Sequence, residues 1–70
     1  MTHGSAPSSQ DALKAGREAA RELACALRDI GHPLPSIDGD FPVHGLAMVR
    51  LGGCSAAAAS RLAQWLREHG

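Results

Sequence analysis

The chain has 70 residues, enough for one small domain. Its seven basic residues balance its seven acidic ones, which argues against nucleic-acid and membrane-surface binding, since such binders carry a marked positive excess. No apolar run approaches the ~18 residues of a membrane span. The start lacks a charged segment followed by an apolar one, so the expectation is a cytoplasmic protein with reduced thiols.

Residues 1–9 are rich in Ser, Gly, Pro, His and Thr and read as a disordered tail, leaving residues 10–70 as a single small domain. Ser8 or Ser9 can cap a helix, and Asp11 complements its dipole. Residues 11–30 then form the clearest element. At 100° per residue, Leu13, Gly16, Ala20, Leu23, Leu27 and Ile30 share one face. Gly16 on that seam suggests close approach of another backbone, because glycine otherwise weakens a helix interior by about 1 kcal/mol. Lys14, Arg17, Arg21 and Arg28 make a basic stripe beside an acidic one of Glu18, Glu22 and Asp29, with Cys25 between them and exposed. Gly31, followed by Pro33, ends the helix.

Prolines at 33, 35 and 42 exclude helix from the next stretch. Residues 34–37 suit a short edge strand, Asp38-Gly39 reads as a turn, and residues 46–51 form a second strand, apolar on both faces except at Arg50. Such a strand requires cover on both sides. Residues 56–69 form a second helix, with Ala58, Ala59, Leu62, Leu66 and His69 on one face and Trp65 at its edge. The predicted fold is α+β: a long helix, a short two-stranded antiparallel hairpin and a second helix packed over it. A small all-α domain is the alternative. A chain this short is marginally stable alone, and a homodimer supplies the missing area.

Chemistry is concentrated only at Gly52, Gly53, Cys54 and Ser55, a strand-to-helix turn at the positive end of a helix dipole. The structural reading is two turn-permitting glycines and a capping serine. The alternatives are an anion or modification site, or a thiol sensor at Cys54. Histidines 32 and 44 with Cys54 match no common zinc spacing, and Asp38-Gly39-Asp40 lacks the other positions of a calcium loop. No cofactor is expected, and no paired catalytic groups stand out.

Leu51-Gly52-Gly53-Cys54-Ser55 resembles the serine motif of acyl and peptidyl carrier domains, which implies phosphopantetheine on Ser55. A second pattern runs from Ala26-Leu27-Arg28 through Leu34-Pro35-Ser36 and Leu51-Gly52-Gly53-Cys54 to Arg61-Leu62-Ala63. It is similar to a group of small actinobacterial proteins and implies a compact stand-alone domain. The function expected from the residues is a non-catalytic protein–protein interaction or regulatory module, homodimeric, with Phe41, Val43, Met48 and Trp65 as contact residues. A carrier-like domain and a thiol or metal sensor are the alternatives.

Overall fold

The computed structural model describes residues 9–70. Residues 1–8 of the expected tail, Ser8 among them, lie outside the described residues, whereas Ser9, expected in the tail, opens the first helix. In chain order the elements are helix α1 (Ser9–Asp29), strands β1 (Asp38–Val43) and β2 (Leu46–Arg50), and helix α2 (Ala56–His69). The two strands pair antiparallel. The fold is therefore α+β, in the order helix, hairpin, helix. No helix of the described residues is long and apolar enough to cross a membrane.

The ends of α1 and α2 follow from local chemistry. At the end of α1, His32 N donates to the Leu27 carbonyl at 2.9 Å and Gly31 N to that of Arg28 at 3.0 Å. This double closure needs a left-handed residue, and Gly31 supplies it with φ 80°. At the start of α2, the Ser55 side chain accepts from Ala58 N at 3.0 Å, satisfying an N–H that has no partner within the helix.

The hairpin lies differently from the sequence expectation. Residues 34–37 are outside any strand, and Asp38-Gly39 opens β1 rather than turning the chain. The turn is His44-Gly45, with φ of 51° and 77°. Two consecutive positive φ values match the two-residue loops whose twist suits an antiparallel pair. Pro42 sits where the register shifts between Asp40 and Val43. A residue without an N–H is tolerated at such an irregularity because no ladder bond is required of it.

The hairpin packs on α1 through small residues. Gly39 pairs with Val49, so the two share a face of the hairpin. A Cβ on Gly39 would fall 2.8 Å from Arg17 N, and one on Gly16 would fall 2.5 Å from the Met48 carbonyl oxygen. The helix and the hairpin thus meet backbone to backbone. Ala12, Gly16, Ala20 and Leu27 are the buried residues of α1. The seam is rotated towards Ala12 relative to the expected one, with Leu13 and Ile30 half-buried and Leu23 37% exposed.

Helix α2 does not pack over the hairpin. Among the described residues, no Cα of α2 comes within 8 Å of α1 or of either strand. Its neighbours are loop residues His32, Pro33 and Leu34, which line clefts with Ala58, Arg61 and Trp65. None of its residues is fully buried. The radius of gyration is accordingly 15.1 Å, against about 11 Å for a compact chain of this length.

Replacing Gly16 with alanine is expected to lower the free energy of unfolding by about 1–3 kcal/mol, the usual cost of overpacking, although alanine is the better helix former. Gly53→Ala is expected to be near neutral, because nothing lies within 4 Å of an added Cβ. Urea denaturation of both variants beside the parent chain checks the contrast.

Candidate functional site

The exposed apolar side chains gather at the end of the hairpin. Phe41 is 78% exposed, Leu46 66% and Val43 48%. Val43 pairs with Leu46 across the strands, so the two side chains share a face. Their exposure follows from the short His44-Gly45 turn and the irregularity at Pro42, which place them at the closed end of the hairpin. Met48, 38% exposed, pairs with Asp40 further along. Three of the four expected contact residues, Phe41, Val43 and Met48, therefore lie on the hairpin.

Trp65 lies elsewhere. It is half-buried on α2, edge-on to His32 with ring centroids 6.4 Å apart. It also stacks on His69 at 4.0 Å and 10° between planes. The His69 Nδ1 is 2.8 Å from the Trp65 carbonyl oxygen, which holds the imidazole over the indole. The structure does not bring Trp65 to the hairpin end. Leu46, Leu51 and Leu66, the last two 51% and 53% exposed, join the apolar surface instead. The sequence marks all three as apolar but carries no signal that they lack cover.

A groove of about 300 Å³ runs between α1 and β1, lined by Leu13, Arg17, Asp38, Gly39, Asp40, Phe41 and Arg50. Asp38 pairs with Arg50 and Asp40 with Met48, so Asp38, Asp40 and Arg50 project from the same face. The Arg50 guanidinium is 3.9 Å from a carboxylate oxygen of each aspartate. These exposed pairs contribute little to stability. Each aspartate also accepts from the following N–H, Asp38 from Gly39 N and Asp40 from Phe41 N, both at 2.8 Å. The groove thus combines these charged side chains with the exposed ring of Phe41.

The Gly52-Ser55 turn performs a structural task. Gly52 has φ 73°, and a Cβ there would fall 2.6 Å from that of Ser36. Only glycine passes this point without strain. The Ser55 hydroxyl caps α2. Cys54 and Cys25 are free thiols, both exposed. Histidines 32 and 44 do not assemble with Cys54, and no group of three His, Cys, Asp or Glu able to hold a metal occurs among the described residues. Asp38 and Asp40 belong to a strand rather than to an ion-binding loop.

Ser55→Ala is expected to cost about 1 kcal/mol through loss of the cap, read as a lower melting midpoint by circular dichroism. Cys54→Ser is expected to leave that midpoint unchanged, since the thiol is exposed. No protein-family model, curated protein or solved structure matches this chain.

Proposed function

We propose that this chain is a small non-catalytic interaction module that forms a homodimer and binds another protein through the end of its hairpin. The observation that supports this reading is the ratio of covered to uncovered apolar side chains. Among the described residues, Ala12, Ala20 and Leu27 are the buried hydrophobic ones. Phe41, Val43, Leu46, Met48, Leu51 and Leu66 are exposed. Fully burying a side chain of the larger kinds is worth about 1.5–3 kcal/mol, so a partner that covers Phe41 and Leu46 gains substantially.

The chemistry around the patch agrees with a protein partner. The groove beside Phe41 offers two guanidiniums and two carboxylates in balance, a surface that recognises mixed polar segments rather than a polyanion. An aromatic residue surrounded by polar groups is the usual anchor of such contacts. Two free, exposed thiols suit a reducing cytoplasm.

Phe41→Asp and Leu46→Asp are expected to abolish capture of the partner while leaving the circular dichroism spectrum unchanged, because both side chains are exposed. Paired affinity captures with the parent chain and with each variant as bait, compared by mass spectrometry, make the test. A partner held equally by all three baits would contradict the hairpin as the binding surface.

A further inference from the structure

We propose that the groove between α1 and β1 binds a small zwitterion, an α-amino acid with an apolar side chain. This goes beyond the reading of the hairpin end as a protein-binding surface and does not depend on it. The groove has a volume of about 300 Å³, at the lower end of the range for small-ligand sites.

The charges of the lining select the ligand class. Arg17, Arg50, Asp38 and Asp40 line the groove and sum to zero. A plain anion there meets two carboxylates, and a plain cation meets two guanidiniums. A molecule that carries one charge of each sign, close together, finds an opposite partner for both.

The two arginines are placed differently. Arg50 is shared between the aspartates, 3.9 Å from an oxygen of each. Arg17 reaches the groove from α1 with its stem against Gly39, the residue between the two aspartates: a Cβ on Gly39 would fall 2.9 Å from the Arg17 Cγ. Among the described residues, the Arg17 guanidinium nevertheless pairs with neither aspartate. Opposite charges thus line one groove without meeting. A guanidinium with its donors open offers a bidentate seat for a carboxylate.

Asp40 supplies the seat for the ammonium. Both of its contacts, the Phe41 N–H and the Arg50 guanidinium, fall on Oδ1, which leaves Oδ2 to accept. Asp38 instead uses Oδ1 for the Gly39 N–H and Oδ2 for Arg50. The Asp40 side chain is also the less exposed, 40% against 67%, and a partly buried pair is less screened by solvent. Leu13 on α1 and Phe41 on β1 provide the apolar wall. Phe41 is 78% exposed, so an aliphatic or aromatic ligand side chain laid against it removes apolar area from water.

The test is a titration of the isotopically labelled full chain with L-leucine and L-phenylalanine, followed by amide chemical shifts. Saturable shifts are expected at Arg17, Gly39, Asp40 and Phe41. N-acetyl-L-leucine lacks the ammonium and L-leucinamide lacks the carboxylate; each is expected to bind about tenfold more weakly, or worse. Arg17→Gln and Asp40→Asn are expected to raise the Kd for L-leucine by a similar factor, with circular dichroism recorded on each. The blocked ligands act on the parent chain, so they decide the matter should a variant lose its fold. No shifts up to the solubility limit of L-leucine overturn the site. Blocked ligands that bind as well as L-leucine overturn the zwitterion. Shifts that persist at full affinity in both folded variants overturn the assignment to this groove.

Discussion

The structure depends on how closely α1 approaches the hairpin. Gly16 lies under the Met48 carbonyl and Gly39 against the Arg17 backbone, each with no room for a Cβ. Two glycines facing opposite ways bring main chain against main chain, and Ala12 and Ala20 extend the seam. This contact fixes position sharply, because a single added carbon meets backbone that has nowhere to move. It yields little hydrophobic stabilisation, because small residues remove little apolar area from water. The tightness of the joint and the thinness of the core have the same cause.

That thinness accounts for the rest of the molecule. Leu27 is the one large side chain among the buried hydrophobic residues described, and the leucines at 46, 51 and 66 remain in contact with solvent. With one face of the hairpin against α1, Phe41, Val43 and Leu46 at its closed end and Leu66 on α2 are left exposed among the described residues. The two apolar surfaces sit on different elements with no close contact between them.

The features set by local chemistry were legible in the sequence. Both helices, the Gly31 stop, the Ser55 cap and the exposure of Cys25 depend on neighbours a few residues away. The hairpin was legible as a hairpin but not in its register. Asp38-Gly39 has the composition of a turn, yet Gly39 is glycine because Arg17 lies against it, a tertiary reason that no local pattern reveals. The real turn uses His44 at positive φ, a conformation that few histidines adopt. At the candidate site, the apolar surplus was visible in composition, but its distribution was not. Trp65, expected as a contact residue, is half-buried beside His32 and His69, while Leu46 of the apolar strand and Leu66 of the α2 face are exposed. Coverage is a property of element placement, and the position of α2 is not encoded in its own periodicity.

The central claim is that α1 and the hairpin form one cooperative unit, with α2 a separate element that packs on neither. Amide hydrogen exchange measured at dilute and at high protein concentration tests it most directly. The account predicts that the amides of β2 and of α1 around Gly16 exchange together at both concentrations, while those of α2 exchange faster. A single protection level shared by α1, the hairpin and α2, independent of concentration, would contradict it.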